Sequence, residues 1–301
     1  MSNLLCVVTK PLQYINARNI IEQDFSISEK KTLLIIDQFS GAFDFYLNVK
    51  KHDDLWDEVI YERSRFKVFL TFRNKIDYLI TNSDLGKEDY LIKYLLKPKE
   101  CYVYEEGAGS YLSSGLTFQP YKKKLIYKIL KLNSKYGNGR NTKGIYLYYP
   151  SLYLSDNKLC INTSFEKYIN SNIELFLNIF NDTKIVLKSI STNNILIVLS
   201  GWNWIFKEGD INQFKKDSDI YIKPHPHKNT LPDYCRKYKF LPDLLLPELF
   251  VIGLISKNIR VTIMHDASSI EINLVKLKYV EFINLGNNIE VVRLLNQIKE
   301  L

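Results

Sequence analysis

Cys101-Tyr102-Val103-Tyr104-Glu105-Glu106-Gly107-Ala108-Gly109-Ser110 is a strand-forming run that stops on two adjacent carboxylates and a Gly-x-Gly turn. Tyr and Val favour extended backbone, and the glycines let the chain turn sharply where the run ends. An acid is thereby set at a strand tip, the part of an open α/β sheet where ligands bind. Neighbouring strand residues point to opposite sides, so only one of Glu105 and Glu106 is expected to face a crevice. Crowding by the other would raise its pKa, which suits a general base. An exposed acidic turn is the plain alternative for this motif taken alone.

The same run-then-turn pattern recurs along the 301 residues. Short β-branched and apolar runs alternate with longer amphipathic stretches, as in parallel α/β folds. Strands are expected at 4–9, 32–36, 58–61, 101–104 and 144–149, and a second set at 195–200, 220–223, 260–264 and 279–283. Helices are expected at 12–23, 66–80, 121–134, 173–180, 244–256 and 269–276. An Asn- and Ser-rich stretch over 150–188 separates the two strand sets and puts a domain boundary at about residue 185. Residues 1–185 and 186–301 would then form two Rossmann-like domains facing a central cleft, an α/β architecture of the GT-B glycosyltransferase type.

Two further motifs fall at expected strand ends. Ile222-Lys223-Pro224-His225-Pro226-His227 closes the strand that begins at 220, and its prolines hold the His225 backbone. Lys and His are the residue types that meet a phosphate leaving group, by charge and by proton donation. A metal reading of His225 and His227 lacks a third ligand nearby in sequence. Met264-His265-Asp266-Ala267-Ser268-Ser269-Ile270-Glu271 joins a strand to a helix, with Ser268 or Ser269 as the N-cap. A helix start also attracts phosphate through its free N–H groups and dipole, and simple capping is the plain alternative. Three of the four histidines lie in these two motifs. Asp217-Ser218-Asp219 matches the Asp-x-Asp pattern of metal-dependent glycosyltransferases, but it precedes a strand and adjoins Lys215 and Lys216. It reads as a surface turn, so no metal site is expected.

The ordered set Glu-Glu-Gly, His-Pro and Ser-Ser resembles the signature shared by several bacterial sialyltransferase families. Lys10-Pro11-Leu12-Gln13, just after the first strand, also looks like the start of lipooligosaccharide sialyltransferases and their capsular polysialyltransferase relatives. The resemblance implies transfer of N-acetylneuraminic acid from CMP-sialic acid to a terminal sugar of a bacterial lipooligosaccharide or capsular glycan. It implies an inverting, metal-independent reaction with no cofactor beyond the donor. The N-terminal domain would bind the acceptor and the C-terminal domain the CMP donor. Glu105, with Glu106 as second choice, would deprotonate the acceptor hydroxyl, and His225 would meet the departing phosphate. Lys223, Pro226, Ser268 and Ser269 would complete the donor site. Two alternatives stay open: a GT-B transferase with a Kdo or hexose donor, and a non-catalytic glycan- or membrane-binding protein.

Composition bounds these readings. Apolar residues make up 46% of the chain, yet no run of about 20 could span a bilayer. The first ten residues lack a basic n-region, so a cytoplasmic protein is expected. Cys6, Cys101, Cys160 and Cys235 are widely spaced and indicate neither a disulfide framework nor zinc. The net charge is 41 − 33 = +8. Its whole excess lies between Gly107 and Ser155, which hold eight Lys or Arg and no acid. The remainder is balanced, which disfavours a nucleic-acid partner. Lysines recur at helical spacing over 121–135 beside Leu125, Ile129 and Leu132, so a peripheral contact with an anionic inner-membrane surface is expected. A surface helix that packs these aliphatics on the N-terminal domain is the plain alternative. The other expected partners are an oligosaccharide or glycolipid acceptor and, as an admissible assembly, a homodimer.

Overall fold

Leu4-Leu5-Cys6-Val7-Val8 and Leu33-Leu34-Ile35-Ile36 show no polar alternation, so a strand made from either needs cover on both faces. The computed structural model describes residues 2–27, 30–111, 121–153, 159–163, 165–201, 204–224, 231–266 and 268–301. In it both runs lie in central strands, and each of these residues is at most 1% exposed.

The first unit, Met1–Tyr168, alternates strands and helices: β1 (Asn3–Val8), α1 (Pro11–Asp24), β2 (Lys30–Ile36), α2 (Ala42–His52), β3 (Glu58–Glu62), α3 (Arg65–Thr71), β4 (Tyr78–Thr81), α4 (Lys87–Leu91), β5 (Glu100–Tyr104), α5 (Tyr121–Ile129), β6 (Thr142–Leu147) and β7 (Leu159–Asn162). Among the described residues its sheet runs β3-β2-β1-β4-β5-β6-β7, and every neighbouring pair is parallel. The second unit, Ile169–Leu301, follows α6 (Phe165–Ser171) with α7 (Ile173–Ile179), α8 (Asn181–Ser189), β8 (Asn194–Leu199), α9 (Glu208–Asn212), β9 (Asp219–Lys223), β10 (Lys239–Phe240), α10 (Pro247–Ile255), β11 (Arg260–His265), α11 (Ile270–Leu274), β12 (Val280–Asn284) and α12 (Ile289–Glu300). Its sheet runs β10-β9-β8-β11-β12, again all parallel. Each unit thus has one place where the strand order reverses, between β1 and β4 and between β8 and β11. In such sheets ligands bind at that switch point, outside the carboxyl ends of the strands.

The structure departs from the sequence reading in several places. The helix expected over 66–80 is α3 followed by strand β4. Asn74 adopts a positive φ of 58° between them, and Leu79 and Ile80 are wholly buried in the sheet. The helix expected over 121–134 ends at Ile129, because Lys131 takes a positive φ of 49°. Strand β7 lies inside the stretch read as a linker. The units divide between Tyr168 and Ile169, earlier than the expected boundary near residue 185, because α7 and α8 belong with the second unit. Leu187 of α8 sits against Gly253 of α10, where an added Cβ would come within 2.5 Å of it. Lys257 Nζ donates to the Leu187 carbonyl as well.

A buried polar knot fixes α1, which leads out of β1. Asp53 accepts from Arg18 Nε at 3.1 Å, from Trp56 Nε1 at 2.8 Å and from the Tyr14 hydroxyl. Arg18 continues to Tyr168 and to Glu22. Asp53→Ala would leave a buried guanidinium short of its main counter-charge. It is expected to cost about 3 kcal/mol or more, measured as a lower urea midpoint at unchanged m-value.

Candidate functional site

β5 ends at Tyr104, and the strand pleat sends the next two side chains apart. Glu105 keeps ladder pairing, its N–H donating to the Tyr146 carbonyl at 2.9 Å, and its side chain turns inward to 2% exposure. Its Oε2 accepts from the Tyr148 N–H at 2.9 Å and from the Tyr111 hydroxyl. Its Oε1 is buried and has no hydrogen-bond partner among the described residues. Burial raises the Glu105 carboxyl to about 8, against the two hydrogen bonds that lower it.

Glu106 faces the other way and is half-buried. Lys10 Nζ lies 2.6 Å from its Oε1 and Gln13 Nε2 donates to the same oxygen at 2.8 Å, while Asn82 Nδ2 donates to Oε2 at 3.0 Å. Lys10 follows β1 and Asn82 follows β4, so this carboxylate stands across the strand-order reversal of the first unit. Gln13 is itself oriented by the Thr9 N–H, which donates to its Oε1 at 2.6 Å. The Glu106 N–H donates to Ser110 Oγ at 2.9 Å. Gly107 takes φ 92°, a backbone conformation that favours glycine. Both acids are therefore built into the strand tip rather than left on a mobile turn.

In the second unit β11 ends in His265, which is wholly buried. Its Nδ1 accepts the Ser268 N–H at 2.9 Å, which assigns the ring proton of the neutral form to Nε2. That nitrogen lies 3.0 Å from Glu271 Oε2, a contact off the line of a good hydrogen bond, and Lys299 Nζ of α12 lies 2.6 Å from Oε1. Burial raises the Glu271 carboxyl, but His265 and Lys299 outweigh it and hold it below its usual range. Ser268 and Ser269 open α11 as expected. The helix is only five residues long, Ser269 makes no side-chain cap, and Ser268 Oγ accepts the Ile270 N–H at 3.4 Å. At the adjoining end of β8, Gly201 passes so close to Asp266 that a Cβ would come 2.8 Å from its Oδ2.

Lys223, at the carboxyl end of β9, is placed otherwise than the sequence suggested. Its Nζ donates to the Pro242 and Asp243 carbonyls at 2.5 and 2.8 Å, and burial lowers its pKa to about 8. In this arrangement it braces a loop instead of presenting charge to a phosphate. His225 and Pro226 lie outside the described residues. Asp219 stands at the amino end of β9, 3.2 Å from Lys239, at the end of the strand opposite to Lys223.

Several residues of these strand ends were not legible beforehand. Asn82 was hidden because β4 was read as helix. Lys10 and Gln13 stood in a quoted motif, but nothing local shows that they reach Glu106. Glu248 near the start of α10 is buried, and burial raises its carboxyl to about 7 although the Asn273 amide, donating to it at 3.2 Å, acts to lower it. Its one sequence signal is the preceding proline, which marks a helix start.

No protein-family model matches the sequence, and no curated protein matches it. Solved structures do. The GT-B domain of a sialyltransferase from Photobacterium damselae is similar at a TM-score of 0.52 and 14% identity, covering 99% of this chain and 96% of that one. A UDP-N-acetylglucosamine 2-epimerase from Rickettsia bellii is similar at a TM-score of 0.56 and 12% identity, covering 100% and 88%. At such identities the likeness is one of fold. Together with the two parallel sheets it establishes an α/β protein of GT-B fold.

The Glu105 carboxyl also sets a pH dependence of stability. Its folded pKa of about 8 lies above its ordinary value of 4.5. Its contribution is therefore fully present below about 4.5 and is lost as pH rises through about 8. Glu105→Gln stays neutral throughout, so its melting temperature should gain on that of the wild type as pH goes from about 5 to about 9. A pH-independent difference would show that Glu105 is not a buried neutral acid.

Proposed function

We propose that this chain is an inverting sialyltransferase, moving a sialic-acid-type sugar from its CMP donor to a hydroxyl of a glycan acceptor without a metal ion. The Glu105 carboxyl is the observation that carries the reading. One oxygen is held by Tyr111 and Tyr148, the other has no partner among the described residues, and the pKa of about 8 lies where a general base is effective. Oε1 is buried here, so the step requires the strand tip to open to the acceptor, whose hydroxyl then gives its proton to Oε1 while its oxygen bonds to the anomeric carbon. The bond from that carbon to the CMP phosphate oxygen breaks in the same displacement, and CMP departs with the electron pair. Glu106 has both oxygens occupied by Lys10, Gln13 and Asn82. In this reading it fixes the strand tip instead of taking the proton.

The departing phosphate would meet Ser268 and Ser269, whose turn is held by His265, and His225 from the His-Pro motif. The part given to His225 rests on the sequence resemblance. A monophosphate carries less charge than a diphosphate, so a histidine and N–H donors can stabilise its departure. The order of the three motifs supports this donor over others, while the GT-B fold is common to all of them. A Kdo or hexose donor on the same fold is the alternative, and thermal shifts with CMP, CDP, UDP and GDP separate the two.

Glu105→Gln should lower kcat at least ~100-fold with little change in CMP affinity, the typical loss on removing a positioned base. Wild-type activity should rise with pH through about 8 as Glu105 loses its proton. If Glu106→Gln does the damage instead, the two carboxylates exchange roles. If neither matters, the mechanism falls. Activity should survive EDTA, whereas full loss restored by Mg²⁺ or Mn²⁺ would return Asp217 and Asp219 to consideration as ligands.

A further inference from the structure

α5 was expected either to pack its aliphatic side on the first unit or to leave it for a membrane. The structure shows how little of it is packed. Tyr127 points inward against Gly86, where a Cβ would collide with its hydroxyl. Past the helix, Asn133 ties the chain down through the Asp84 carbonyl and the Asp89 carboxylate. Outward, Leu125, Ile126, Ile129 and Leu130 are all exposed, Ile126 to 51% and Ile129 to 67%. Lys124, Lys128 and Lys131 are exposed beside them. The positive φ of Lys131 ends the helix just after this cluster.

Four exposed aliphatics in six residues are costly to leave in water. A soluble protein partner would ordinarily meet a mixed-sign rim around such a patch. The segment's own contribution to that rim has one sign, since no acid occurs from Gly107 to Ser155, and the acids of α4 nearest to it, Glu88 and Asp89, lie on the side of Tyr127 and Asn133. Lysines flanking a shallow row of branched aliphatics on an anchored helix match one surface, in which negative headgroups overlie an apolar interior.

We infer that α5 docks the first unit on an anionic lipid bilayer, with Ile126 and Ile129 entering the headgroup–acyl boundary and Lys124, Lys128 and Lys131 meeting headgroup phosphates. The docking needs no catalysis, so it stands or falls apart from the proposed reaction. For such an acceptor on a lipid anchor, it would bring the first unit to the layer that holds the acceptor.

The test is cosedimentation of the full chain with vesicles of phosphatidylcholine alone and of phosphatidylcholine with phosphatidylglycerol. Binding is expected on the anionic vesicles, largely lost as NaCl rises from about 0.1 M to about 1 M, where the screening length falls from about 10 to about 3 Å. Lys124→Glu, Lys128→Glu and Lys131→Glu together should weaken it by ~100-fold, at about fivefold per lysine. Ile126→Ser with Ile129→Ser should weaken it about tenfold or more. These side chains are exposed, so circular dichroism and melting should match the wild type, and the lipid and salt comparisons require no variant. Equal binding to neutral vesicles, or none to either, overturns the inference. So does full retention by the isoleucine variant when the lysine variant is lost, because that pattern marks a site for a soluble polyanion.

Discussion

A strand in the middle of a parallel sheet has no exposed face and no freedom in direction. Its hydrogen bonds run to neighbours on both sides, helices cover both surfaces, and each crossover must bring the chain back to the starting edge. Every carboxyl end therefore emerges on one edge of the sheet. That constraint governs both units of this protein. It brings the ends of β1, β4 and β5 together although Lys10, Asn82 and Glu106 are far apart in sequence, and it sets the end of β8 beside the end of β11, where Gly201 meets Asp266.

Within that edge, the pleat of one strand gives two adjacent, chemically identical residues different properties. Glu105 turns into the protein, where a charged carboxylate would be costly to bury, and its carboxyl is raised accordingly. Glu106 turns toward the reversal point and acquires Lys10 and two amides. Among the described residues the buried acid has one unengaged oxygen, and the other acid has both engaged. Proton-accepting capacity and anchoring are thus divided between neighbours by which face of the strand each occupies.

The second unit holds its strand end by a different device. His265 has no contact with water, and its ring links the backbone of the Ser268–Ser269 turn to Glu271 and through it to Lys299 of α12. The last helix of the chain is thereby connected to a turn more than twenty residues earlier. Lys223 shows the reverse case, a charged side chain that the fold turns toward carbonyl oxygens of its own loop.

The sequence by itself determined the class of fold, because unalternating runs such as Leu33–Ile36 can be satisfied only in strands covered on both faces, and nine such runs alternate with amphipathic stretches. It also determined that carboxylates end one strand and a Ser-Ser turn follows another, since glycine and the helix-start serines act locally. Tertiary structure alone decided the rest. Strand β4 was not legible because Phe66, Phe69 and Ile76 keep helical spacing up to its start, and only its place between β1 and β5 outweighs that signal. The boundary at Tyr168 depends on α8 packing against α10, a contact between residues distant in sequence. The burial of Glu105, the partners of Glu106 and the turning of Lys223 depend on which atoms surround each side chain, and no local pattern in the chain encodes that.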